Sequence, residues 1–126
     1  MLIDTSQQPR LVTILRQGRY LIASVHAALD DGQLTRFQHD LIEQIGRYRS
    51  NGVIIDLAAI DVLDVFATRT LQNLARMASL RGASTVIVGI HPDVAFATAR
   101  LGTHPDIAPT ALDMDDGMAI LDELTV

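Results

Sequence analysis

Apolar positions along the chain change their period several times, and each change marks an element. Leu11, Val12, Ile14 and Leu15 form a first short apolar run, and Tyr20, Leu21, Ile22, Ala23 and Val25 form a second. Gln17-Gly18 falls between them, so the two runs predict a β-hairpin. Leu29-Asp30-Asp31-Gly32 follows, with carboxylates suited to capping a helix. Leu34, Phe37, Leu41, Ile42, Ile45 and Tyr48 then recur at helical spacing, with Arg36, Asp40, Glu43 and Arg47 on the opposite face. That pattern predicts an amphipathic helix with one buried stripe, ended by Asn51-Gly52. Val53, Ile54 and Ile55 run without alternation, as a strand buried on both faces does.

Residues 58–64 read as a loop. Asp64 is placed to cap a helix over about residues 65–80, with Phe66, Leu71, Leu74, Ala75 and Ala78 as its inner stripe and Arg81-Gly82 as its stop. Residues 85–90 predict another buried strand, closed by His91-Pro92. Residues 93–101 predict a third helix, released at Gly102. Residues 107–112 hold a short strand. Asp113, Asp115 and Asp116 then precede a last helix, with Met114, Met118 and Leu121 on one face. Carboxylates there suit the positive end of the helix dipole. Residues 1–9 are polar, carry a proline and read as a loose lead-in. Strands alternating with helices after an opening hairpin predict an α/β fold. Its sheet is mixed, of about five strands flanked by about four helices.

The 126 residues suit one domain spanning 1–126. Hydrophobic residues make up 48% and charged residues 20%, which excludes disorder as the main state. The apolar runs are too short to span a bilayer, and no basic start leads into an apolar core, so neither a membrane nor a secretory leader is expected. Ten basic against fifteen acidic residues give a net charge of −5, and nucleic-acid binders normally present a basic face. With no cysteine there is no disulfide framework and no thiolate site. A cytoplasmic domain is the expectation.

Catalytic patterns are lacking. His26, His39, His91 and His104 do not form the paired spacing of a helical zinc motif, and the glycines are scattered rather than clustered around a phosphate. The serines lack a nucleophile-elbow context. Asp56, Asp61 and Asp64 flank the loop between a strand and a helix start. Such carboxylates serve either a metal or phosphoryl-acceptor pocket, or turn formation and N-capping. No basic residue is placed to complete an acceptor site, so capping is preferred. A non-enzymatic module without cofactor or metal is expected.

Several segments in order carry a family likeness. Ala27-Ala28-Leu29-Asp30-Asp31, Phe37-Gln38-His39-Asp40-Leu41-Ile42 and Gly52-Val53-Ile54-Ile55-Asp56-Leu57 lead into Ile60-Asp61-Val62-Leu63-Asp64-Val65-Phe66. Gly82-Ala83, Val86-Ile87-Val88-Gly89-Ile90 and Pro92-Asp93-Val94-Ala95 follow. Together they resemble a STAS domain, the fold of anti-sigma factor antagonists, and more narrowly the RsbS-type scaffold proteins of the stressosome. The likeness runs from about Leu11 to Leu124. It implies a non-catalytic scaffold that co-assembles with RsbR-type STAS proteins and self-associates through STAS domains. It also implies that the assembly holds an RsbT-type serine/threonine kinase, which phosphorylates the scaffold and is released.

In that family the phosphorylated serine follows the aspartate that opens the second helix. Here the aspartate is Asp64 and the next residue is Val65, which has no hydroxyl. A phosphate brings nearly two negative charges, and losing that step removes the simplest way of ejecting a bound kinase. Three readings follow. The acceptor has moved to Thr68 or Thr70, of which Thr68 is the one expected to be exposed. Or the chain is a constitutive scaffold, the reading preferred here, with control left to an RsbR-type partner. Or the valine is an engineered block. The partner-binding surface implied by the likeness comprises Asp61, Asp64, Val65, Phe66, Thr68 and Arg69. The competing function is a sensory STAS-like domain holding a small ligand or nucleotide at residues 58–64, where the carboxylates disfavour anions.

Overall fold

The structure, a computed structural model, describes residues 11–61, 63–90 and 108–125. Strands β1 (Val12–Gln17) and β2 (Tyr20–Val25) form the expected hairpin, turning at Gly18 with φ 60°. Helix α1 (Asp31–Tyr48) leads to β3 (Gly52–Asp56), α2 (Val65–Leu80) to β4 (Ser84–Val88), and β5 (Thr110–Ala111) to α3 (Met114–Leu124). Among the described residues the sheet has five strands in the order β1-β2-β3-β4-β5. Among the described residues only the hairpin pair is antiparallel; β2, β3, β4 and β5 pair in parallel. The mixed α/β sheet expected from the sequence is thus the observed one. The helix expected over residues 93–101 lies outside the described residues, and so do His91 and His104.

Strand alternation sorts the core into two layers. Leu21, Ala23, Val25, Val53, Ile55 and Ile87 face α1 and α2. Tyr20, Ile54, Val86 and Val88 face α3 and its Leu121. Because helices cover both sides of β3, its Val53, Ile54 and Ile55 are all fully buried, as their unbroken run predicts.

Each of the described helices starts on an aspartate. Asp30 accepts from the Gln33 N–H at 2.8 Å while the Gln33 side chain accepts from the Asp30 N–H at 2.8 Å, a closed capping box on α1. Asp113 accepts from the Asp116 N–H at 2.9 Å on α3. The α1 stripe buries Leu34, Phe37, Leu41, Ile42 and Ile45 as expected. Tyr48 departs from it: it is exposed, and the Arg16 guanidinium lies 4.9 Å from the centre of its ring. It occupies the last turn of α1, where it makes a cation–π contact with β1 instead of packing in the core.

Helix α3 sits unusually close to the sheet. Leu121 Cδ1 lies 2.6 Å from where a Cβ on Gly52 would be, and a Cβ on Gly117 would overlap Val88 Cγ1. The end of the helix is tied down by the buried residue Tyr20, whose hydroxyl donates to Asp122 Oδ1 at 2.6 Å and lies 2.8 Å from Thr125 Oγ1.

Candidate functional site

The loop from β3 to α2 and the first two turns of α2 lie at the C-terminal end of the parallel strands, where open α/β sheets place their functional loops. Asp56 closes β3 by accepting the Ala58 N–H at 2.9 Å, so it forms a turn. The loop then lies over the end of β4: the Leu57 N–H donates to the Val88 carbonyl at 2.9 Å. Gly89 permits this approach. Its φ is 81°, and a Cβ there would stand 2.8 Å from the Ala58 nitrogen.

Asp64 caps α2, its Oδ1 accepting the Ala67 N–H at 2.7 Å. The sequence expectation of capping therefore agrees with the geometry for both Asp56 and Asp64. Asp61 is exposed on the loop. Among the described residues no group of three or more histidines or carboxylates is placed to hold a metal ion. His39 lies on the solvated face of α1, with Nε2 3.6 Å from Glu43. His26 is exposed, 2.9 Å from the Thr13 hydroxyl.

The rotation of α2 about its axis corrects two expectations. Phe66, placed by the sequence reading in the inner stripe, is 40% exposed. Thr68, read as exposed, is 2% exposed, and Thr70 is 6% exposed. The inner face is made of Ala67, Thr68, Thr70, Leu71, Leu74, Ala75 and Ala78. Burying these threonines is cheap because each hydroxyl bonds the carbonyl one turn back. Thr68 donates to Asp64 at 2.9 Å and Thr70 to Phe66 at 2.8 Å. With its oxygen so engaged, the Thr68 hydroxyl is turned into the folded helix and away from solvent.

The remaining candidate residues are at least partly accessible. Val65 is half-buried in the first turn, Phe66 and Arg69 are exposed, and Asp61 and Asp64 edge them. The same outer face continues with Arg76, Met77 and Leu80, all exposed. Sequence reasoning missed these three. Their spacing from Phe66 and Arg69, opposite Leu71, Leu74 and Ala78, carries the signal, but counting Phe66 in the inner stripe turns the helix phase away from it. Helix α2 has no acidic residue, although the chain carries a net charge of −5.

An apolar cleft of about 160 Å3 opens beside Asp64, between the starts of α1 and α2. It lies under the loop and is walled by both helices and the end of β2.

The sequence model of the STAS domain matches residues 12–117. The RsbT co-antagonist protein RsbRA of Bacillus subtilis is 24% identical over 97 residues, which cover 77% of this chain and 35% of that protein. The chain thus spans about a third of the length of that curated relative. Among solved structures, RsbS of Moorella thermoacetica carrying a serine-to-glutamate substitution is similar, with 32% identity and a TM-score of 0.78. That likeness covers 90% of this chain and 96% of the other. A chain from the molecular architecture of the stressosome, described as a signal integration and transduction hub, has 30% identity and a TM-score of 0.72. It covers 89% of this chain and 97% of the other. With the match running from β1 into α3, across the mixed sheet and the capped α2 start, the chain belongs to the STAS domain family.

Proposed function

We propose that this chain is a non-catalytic scaffold and partner-switching protein of the stressosome type, working in the cytoplasm. In this reading it co-assembles with RsbR-type STAS proteins, self-associates through STAS domains and sequesters an RsbT-type serine/threonine kinase. The observation that carries the reading is the likeness to RsbS, which extends over nearly the whole of both chains at 32% identity. The exposed start of α2 supports it. Phe66 and Arg69 are residue types enriched at the centres of protein interfaces, and they stand beside one another on an accessible helix face. Asp61, Asp64, Val65, Phe66 and Arg69 form the proposed contact surface.

Val65 sets the mode of action. It occupies the first helical position after the Asp64 cap, the position that the resemblance to RsbS-type proteins assigns to the phosphorylated serine. Valine accepts no phosphate, and the burial of Thr68 and Thr70 disfavours a displaced acceptor. The scaffold therefore holds its client constitutively, and release depends on a partner.

The test mixes the purified chain with the RsbR-type and RsbT-type proteins of the same genome and ATP. Light scattering and intact-mass spectrometry follow the mixture. Large particles should form only with the RsbR-type partner, the kinase should remain bound, and this chain should stay unmodified. The Val65→Ser variant should gain one phosphate on the new serine and release the kinase. No growth in particle mass on mixing sinks the scaffold reading; a phosphate on Thr68 of the parent chain sinks the constitutive one.

A further inference from the structure

We propose that the cleft between the starts of α1 and α2 binds a small, mainly apolar molecule of phenol or indole size that carries one hydrogen-bond donor. The proposal stands apart from the scaffold reading and does not need it.

The walls come from four parts of the fold: Val25 from β2, Leu34 and Phe37 from α1, Ile60 from the loop, and Leu71 from α2. All five side chains are buried. Their apolar surfaces nonetheless enclose about 160 Å3 that no described side chain fills. An apolar cavity of about 150 Å3 stays dry in another protein and takes up benzene. The space here is of that class. Unlike a sealed cavity it has a mouth, formed where Ala28 and Asp64 are exposed and Leu63 is partly so. A ligand can therefore enter without unfolding the domain.

Among the described residues the only charged group on the lining is Asp64. Its Oδ1 is engaged by the Ala67 N–H. A carboxylate has roughly four lone-pair sites, so it retains capacity for a donor from the ligand. The carboxylate selects an N–H or O–H and repels an anion. Size and charge together exclude a nucleotide, since sites for larger ligands run to about 300 Å3 or more. The competing expectation of a nucleotide at residues 58–64 does not fit this space; a small neutral or cationic ligand does.

Asp64 also starts α2. Occupancy of the cleft therefore acts on the same carboxylate that fixes the helix turn bearing Val65 and Phe66. A ligand that engages Asp64 biases the order of that turn, because binding to one arrangement stabilises it.

The test is an amide NMR titration of the full chain with phenol, with indole, and with benzoate as an anion of similar shape. Phenol and indole should give saturable shifts at Val25, Ile60 and Ala67. Benzoate should bind about tenfold more weakly or worse, given the like charge at the mouth. Ala67→Leu projects into the cleft and should abolish binding while the rest of the spectrum is kept. Should that variant fail to fold, Leu63→Phe at the mouth serves the same purpose. The proposal is overturned if neither phenol nor indole gives saturable shifts up to its solubility. It is also overturned if benzoate binds as well as phenol, or if the folded blocking variant binds as the parent does. Scaffold assembly is unaffected by any of these results, so failure here and failure of the scaffold reading are told apart.

Discussion

Gly117→Ala sets two known effects against each other. Alanine in place of glycine inside an exposed helix stabilises it by about 1 kcal/mol. Gly117, however, faces the sheet and is buried. A Cβ there overlaps Val88 Cγ1, with Val86 Cγ1 at 3.7 Å and Ile54 Cδ1 at 3.8 Å behind it. Val88 is 2% exposed and β-branched, so its χ1 is restricted and the packed core leaves it little room to turn aside. The methyl group fits only if α3 lifts from the sheet. That lift also disturbs Leu121 over Gly52 and the 2.6 Å Tyr20–Asp122 bond. Overpacking of this kind costs about 1–3 kcal/mol. An overlap that can be relieved only by moving a helix falls at the upper end, about 2–3 kcal/mol, and subtracting the helix-propensity gain of about 1 kcal/mol leaves a net destabilisation of about 1–2 kcal/mol, or roughly 4–8 °C in Tm. Urea unfolding followed by circular dichroism measures it, with an unchanged m-value showing that the transition is still the same one. Gly32→Ala is the internal control. Its nearest neighbour to the new Cβ is Asp30 Oδ1 at an ordinary 3.5 Å, so that variant should lose no stability. A Gly117→Ala protein as stable as its parent would falsify the seating of α3 described above.

Three further outcomes follow from the same geometry. Asp64→Ala should lose about 1 kcal/mol and speed amide exchange at Ala67, while Asp64→Asn, still able to accept, should stay near the parent. Tyr20→Phe removes the hydroxyl bonded to Asp122 and lying against Thr125. A loss of about 1 kcal/mol is expected by thermal melting, toward the low end for a charged partner because Asp122 is solvent-exposed and can rehydrate. Gly89→Ala combines a positive φ with a clash against the Ala58 backbone and should cost about 2 kcal/mol or more. A smaller loss in chemical denaturation means the loop does not lie over the end of β4.

The order of elements and the helix starts were legible in the sequence because both are local. A carboxylate before an apolar-periodic run caps it wherever the helix later packs, and Asp30, Asp64 and Asp113 all do so. The unbroken Val53-Ile54-Ile55 run required cover on two sides, and the sheet gives it. The stripe of α1 was readable because five large apolar residues mark one face unambiguously. Helix α2 was not readable in the same way. Its sequence offers alanines and threonines as well as large residues, and a hydroxyl bonded within the helix is as easily buried as a methyl group. Tertiary packing against α1 and β4 therefore fixed the rotation, turning Thr68 inward and Phe66 outward. The cleft was invisible for a related reason. It is space left between β2, α1, the loop and α2, and no single segment encodes a volume that exists only once all four have met.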